Sequence, residues 1–249
     1  LQLLALVGME PPHSLNADVV RDERLELIQS LRPLTAADID THVVRGQYSA
    51  GVDEHGRVAR AYRAEDDVRE GSTTETFVAL KAYIDNWRWA GVPFYLRTGK
   101  RMPRRCSEIA IQLKAVPPIL FNARADRPLE PNVLTIRIQP NEGFALKMSS
   151  KVPGPQVDVE PVSMDFTYSE VFGSSSPEAY ERLLLDVMVG DATLFMRRDQ
   201  VEASWTWITP ILDHWAAQGA TTIPEYSAGS WGPTEADALI QPSARWRTP

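Results

Sequence analysis

Apolar residues recur along this chain with two different periods. In the middle third they alternate: Ile109, Ile111 and Leu113 take every second position of "EIAIQLK" (108–114), and Leu134, Ile136 and Ile138 do the same in "NVLTIRIQ" (132–139). A period of two puts these side chains on one face of a strand and the polar ones between them, Thr135, Arg137 and Gln139, on the other. Further strands are predicted at 42–48, 76–84, 93–97, 143–150 and 162–168, each bounded by turn residues. This is the pattern of an antiparallel sheet with one covered face. Residues 49–75, rich in Gly, Asp, Glu and Arg, read as a long surface connection, a length more often functional or interface-forming than idle.

The other period is helical. Val20, Leu27, Ile28 and Leu31 fall on one face of a helix expected over about 18–31 and ended before Pro33. Near the C-terminus, Ser176 followed by Pro177 is a helix start, and Tyr180, Leu183, Leu184 and Val187 follow at helical spacing. Asp199 with Glu202 resembles a capping box that opens a helix with the stripe Val201, Trp205, Ile208, Leu212 and Trp215. A short helix is expected within 232–240. The first residues, "LQLLALVGMEPP", form an apolar, helix-favouring run with no Met and no N-cap residue before it, broken by the prolines. The chain is therefore expected to begin inside a helix, as the C-terminal part of something longer. Strands first and helices last indicate an α+β fold, a large antiparallel sheet covered by helices.

Composition narrows the function classes. With 249 residues, 43% apolar and 24% charged, the chain can bury a sizeable core. A net charge of -7 and a pI near 5.2 argue against general nucleic-acid binding, which needs a basic face. No apolar run approaches the roughly 18 to 20 residues of a membrane span, and no signal peptide is expected. The only cysteine, Cys106, excludes an intrachain disulfide framework and fits a reducing, cytoplasmic setting.

Against that acidic background, "GVPFYLRTGKRMPRRC" (91–106) carries Arg97, Lys100, Arg101, Arg104 and Arg105 within nine positions. Thr98 and Gly99 are expected to turn the chain so that Lys100 and Arg101 project together, with Gly99 letting the backbone approach a ligand. Lys supplies a compact charge and Arg a bidentate fork for phosphate oxygens. On spacing alone a phosphate seat, a solvated loop and a subunit contact all remain open. The same holds for Thr135, Arg137 and Gln139, which suit a carboxylate, phosphate or sugar and equally an ordinary exposed face. His13, His42, His55 and His214 have no metal-ligand spacing, and no metal site is expected. No Gly-x-Gly-x-x-Gly, Walker or Gly-x-Ser-x-Gly motif appears. Asp66 and Asp67 are expected to face water. The tryptophans Trp87, Trp89, Trp205, Trp207 and Trp215 are expected to fill a core, with an oligomer contact as the other reading.

Taken together, "LQLLALVGMEPP", "DVVRDERLELIQSLRPL", "VVRGQY", "GSTTETFVALKAYIDNWRWAGVPFYLRTGK", "SEIAIQLK", "IRIQPNEG", "PEAYERLLLDVMVGD" and "GSWGPTEAD" resemble the C-terminal domain of glucose-6-phosphate dehydrogenase, of bacterial type. The likeness runs over nearly all of residues 1–249. It implies an oxidoreductase that converts D-glucose 6-phosphate to 6-phospho-D-glucono-1,5-lactone with NADP+, the first step of the oxidative pentose phosphate pathway. The Rossmann cofactor domain and the general-base histidine are expected outside this chain, the histidine just upstream of Leu1. By resemblance Lys100 matches a substrate-binding lysine, Arg105 stands where many bacterial members have a second one, and Gln139 matches a glutamine near the substrate. Arg97, Arg137 and Lys147 match parts of a structural NADP site of mammalian members, but Cys106, Ala110 and Trp231 stand where that site has cations. The family pairs its subunits through the sheet domain, so a homodimer or homotetramer is expected, with no nucleic-acid or membrane partner. The alternative is a non-catalytic sugar-phosphate-binding or dimerisation module.

Overall fold

The computed structural model describes residues 1–115, 129–155, 158–173, 179–219, 222–241 and 244–249. In chain order the elements are α1 (Gln2–Gly8), α2 (Ala17–Gln29), α3 (Ala36–His42), β1 (Val43–Ser49), β2 (Gly51–Val52), β3 (Val58–Ala59), β4 (Phe77–Ala82), β5 (Phe94–Gly99), β6 (Ser107–Gln112), β7 (Val133–Gln139), β8 (Gly143–Lys151), β9 (Val159–Thr167), α4 (Tyr168–Phe172), α5 (Ala179–Val189), α6 (Arg198–Gln218), β10 (Glu225–Ser227) and α7 (Glu235–Ala238). The fold mixes helices with sheets that are antiparallel except for the β1–β10 pair. It divides into two compact units, one of Leu1–Arg104 with Ala179–Thr248 and one of Arg105–Glu178 with Pro249.

The first unit is built on the sheet β10-β1-β4-β5. Its inner strand β4 explains why "TFVALKAYI" is apolar at most positions without alternating. Leu80 and Ala82 join the core formed with α1, α2, α3 and α6, around Leu4, Leu27, Ile28, Ile39, Trp207 and Ile211. Phe77 and Ala79, one pleat out of phase, join a second cluster with Tyr48, Tyr226, Ala236 and Leu239. A strand buried on both faces has no polar side to alternate with. The helices are stopped and started by local chemistry. The Asn16 side chain accepts from the Asp18 amide, and Thr35 with Asp38 forms a full capping box at α3. Gly219 ends α6 in the left-handed conformation.

Several expectations need correction here. The helix expected to open at Asp199 starts two residues earlier, with Arg197 as its N-cap and no side-chain cap bond, so Asp199 and Glu202 do not form a capping box. Asp199 instead accepts from Arg197 Nε at 2.9 Å, and an ion pair competes with the capping geometry. The buried stripe of α6 is Gln200, Trp207, Ile211 and Trp215, whereas Trp205 is 57% exposed. Trp87 is fully exposed, and Trp89 packs at the core edge with its indole donating to Gly8 O. On α5 the expected apolar stripe is uncovered, since Tyr180, Leu184 and Val187 are exposed while Asp186 is buried. The connection at 49–75 contains the small β2–β3 hairpin and a 3-10 turn at Tyr62–Ala64. Asp66 and Asp67 do face water. The helix start at Ser176 and Pro177 lies outside the described residues.

The second unit holds the antiparallel sheet β6-β7-β8-β9. The alternating rows meet as their period demands, with Ile109 opposite Ile136 and Ile111 opposite Leu134. β8 and β9 extend them with Leu146 and Met164, and with Phe144 and Phe166. Burial differs from the pattern. These apolar rows are half-buried or exposed, and it is Thr135, paired with Ala110 and Ala145, that is fully covered.

Candidate functional site

The cationic turn after β5 is held by its backbone. Register with β4 sets Phe77 opposite Gly99 and Ala79 opposite Arg97. The Lys100 amide donates to Thr76 O at 2.8 Å, and the Lys100 carbonyl accepts from the Tyr226 hydroxyl at 2.7 Å. One residue on, the Arg101 carbonyl accepts from the Gly229 amide at 2.7 Å. Arg101 itself takes a left-handed backbone with φ 51. Lys100 is exposed, and among the described residues no group pairs with its ammonium. Arg101 turns to Glu65, 2.9 Å away, whose hydrogen bond raises the guanidinium pKa further. Packing by itself requires Gly99. A Cβ there would lie 2.9 Å from the Phe77 ring and 3.0 Å from the Met102 sulfur.

Arg97 is enclosed by aromatic rings. Its guanidinium lies 5.1 Å from the Trp231 ring centroid and 5.0 Å from that of Trp246, and Nη2 donates to Arg247 O at 2.7 Å. Trp246 is fixed in turn by its indole N–H, which donates to Ala236 O at 2.8 Å.

In the second unit, Arg105 is exposed two residues ahead of β6. Gln139 is exposed at the end of β7 opposite Ser107, before a cis bond to Pro140. Arg105 and Gln139 therefore belong to one end of the same sheet. Arg137 forms a fork to Asp165, with contacts of 2.9 and 2.6 Å, and also donates to Phe166 O. That bond holds the Asp165 carboxyl below the usual carboxylate range. Lys147 pairs with Glu130 at 2.6 Å. Arg97, Arg137 and Lys147 thus each have partners supplied by this chain.

Among the described residues, no histidine hydrogen-bonds to the Lys100 turn. His214 on α6 instead faces Asp40 at 2.8 Å. A concavity of the first unit, lined by Ile28, Leu34, Arg197, Glu202, Trp207 and Pro210, shares no lining residue with that turn. No helix of the described residues is long and apolar enough to cross a membrane.

A family profile described as "Glucose-6-phosphate dehydrogenase, C-terminal domain" matches residues 1–247. The chain belongs to the glucose-6-phosphate dehydrogenase family. It is 49% identical over 250 residues to a glucose-6-phosphate 1-dehydrogenase of Aggregatibacter actinomycetemcomitans, covering 100% of this chain and 49% of that protein. With its counterpart from Rhizobium meliloti (strain 1021) it shares 50% identity over 248 residues, 98% of this chain and 49% of the relative. The crystal structure of glucose-6-phosphate 1-dehydrogenase from Mycobacterium avium matches with a TM-score of 0.81 at 38% identity, covering 100% of this chain and 48% of that one. A glucose-6-phosphate dehydrogenase solved in complex with its substrate glucose-6-phosphate matches with a TM-score of 0.83 at 33% identity, over 99% of this chain and 49% of that one. The chain thus spans about half the length of the family members it matches.

Tyr226, Glu65 and Trp246, which frame the cationic turn, were not legible as site residues. Tyr226 sits on a three-residue strand too short to give a period, and its partner lies 126 positions away.

Proposed function

We propose that residues 1–249 are the C-terminal, substrate-binding and subunit-pairing part of an NADP-dependent glucose-6-phosphate dehydrogenase. That enzyme oxidises D-glucose 6-phosphate at C1 to 6-phospho-D-glucono-1,5-lactone in the oxidative pentose phosphate pathway. The observation that carries this reading is the Lys100 turn: an unpaired ammonium on a fixed backbone, in a chain about half identical to named glucose-6-phosphate 1-dehydrogenases along its length. A compact cation kept free of carboxylates suits a phosphate dianion, and a rigid backbone lowers the entropy cost of placing it.

In this role Lys100 binds and orients the sugar phosphate and moves no proton. Arg105 and Gln139 are taken, on the family resemblance, as further substrate contacts. The nicotinamide accepts the hydride when bound, held mainly by residues outside this chain. The histidine that takes the O1 proton is assigned outside it on the family resemblance. Homodimer or homotetramer formation is supported by the apolar rows of the second sheet, where Met164 and Phe144 stay 55% and 39% exposed. The single cysteine supports a cytoplasmic setting.

The test is Lys100→Ala in the full-length enzyme. The KM for glucose 6-phosphate should rise by the equivalent of about 2 to 4 kcal/mol, with kcat changed far less. An unchanged KM would refute the assignment of Lys100, and failure of the full-length protein to form NADPH from glucose 6-phosphate would refute the enzymatic reading.

A further inference from the structure

Lys100 is exposed, yet its main chain is anchored from a segment more than a hundred residues later. The Tyr226 hydroxyl donates to the Lys100 carbonyl at 2.7 Å and lies 3.1 Å from Thr76 Oγ1, which itself accepts from the Tyr48 amide at 3.0 Å. A phenol has one proton to donate. The shorter bond to Lys100 O takes it in preference to Thr76 O at 3.2 Å, leaving the oxygen to accept from Thr76 Oγ1. Thr76 closes the loop by taking the Lys100 amide on its own carbonyl at 2.8 Å. Both main-chain polar groups of Lys100 are therefore fixed by one two-residue bracket, Thr76 and Tyr226.

The bracket is rigid. Tyr226 is 3% exposed, its ring sits 5.5 Å from that of Phe77, and its strand β10 is bonded in parallel register to β1. Burial pushes the phenol pKa up, so the hydroxyl stays a donor through neutral pH. Packing does not require that oxygen: a phenylalanine ring would fill the same space. Its consequence falls on the position of Lys100.

We propose that Tyr226 is a positioning residue for substrate binding, its hydroxyl setting the Lys100 turn in the geometry that meets the phosphate. This deepens the reading of Lys100 given above and rests on it. A charged contact loses strength quickly when its geometry is loose, and supporting hydrogen bonds set that geometry.

The experiment is a double-mutant cycle in the full-length enzyme with Tyr226→Phe and Lys100→Ala, reading KM for glucose 6-phosphate, KM for NADP+, kcat and Tm. Tyr226→Phe alone is expected to raise the KM for glucose 6-phosphate about five- to tenfold, the loss of one hydrogen bond. The KM for NADP+ should stay unchanged. In the Lys100→Ala background the same substitution should leave the KM for glucose 6-phosphate where it is, because the residue being positioned is gone. Equal effects in both backgrounds, or a lower Tm with no change in KM, would overturn the proposal and leave Tyr226 a structural residue. If Lys100→Ala raises KM and Tyr226→Phe does not, the inference fails alone. Should Lys100→Ala leave KM unchanged, the underlying assignment of Lys100 fails and takes the inference with it.

Discussion

At Gly99 and Gly232 the same aromatic ring leaves no room for a side chain. A Cβ on Gly232, where φ is 114, would lie 2.3 Å from Phe77, and one on Gly99 would lie 2.9 Å from it. Phe77 is 1% exposed and cannot move aside cheaply. Gly99→Ala is therefore expected to destabilise the protein by about 1 to 3 kcal/mol, an overpacking cost readable as a lower denaturation midpoint. Unaltered stability would mean that Phe77 and Met102 yield freely. The cations show how residue type underdetermines role. Arg97, Lys100 and Arg101 lie within five positions, yet one is caged by indoles, one is unpaired and one is bonded to Glu65. Charge clustering alone could not separate them, because each partner comes from a distant part of the chain.

Elements were legible where their signal is local. α2 and the strands β5, β6, β7 and β8 lie within a few residues of their expected spans, since periodicity and turn residues act over a handful of positions. α3 was missed although Thr35 and Asp38 carry a capping-box pattern, because seven residues offer too little apolar period. Thr35→Ala should cost about 1 kcal/mol through the lost cap, measured by chemical denaturation. In α6, spacing put Trp205 in the buried stripe, while the helix presents Trp207 with its indole N–H donating to Arg32 O at 2.8 Å. Trp207→Ala is expected to cost about 3 to 5 kcal/mol, and Trp205→Ala, at a mostly exposed position, much less. The reverse order would contradict the observed rotation of α6.

Over the whole molecule, acid should be the sensitive side. Glu10, Asp85, Asp165 and Asp199 are each held below the usual carboxylate range, first of all by hydrogen bonds from Arg88, Arg32, Arg137 and Arg197. A depressed folded-state pKa means that the unfolded chain binds more protons in that range, so stability rises with pH there. This contribution is full above roughly pH 5 and is lost as pH falls through about 4 and below. Thermal denaturation across that range should show the midpoint level near neutrality and falling in acid, and added salt should blunt the effect because the pairs are exposed. A midpoint independent of pH down to 3 would count against these pairs. The sequence by itself determined the α+β class, the alternating rows of β6 and β7 and the family, since all three rest on patterns read along the chain. Tertiary structure alone decided that β4 is buried on both faces, that Trp207 and not Trp205 enters the core, and that Lys100, unlike Arg97 and Arg101, has no partner among the described residues. Those outcomes depend on which distant groups, Tyr226 and Trp246 among them, the topology brings alongside. Such pairings are fixed by packing across more than a hundred residues and leave no local mark.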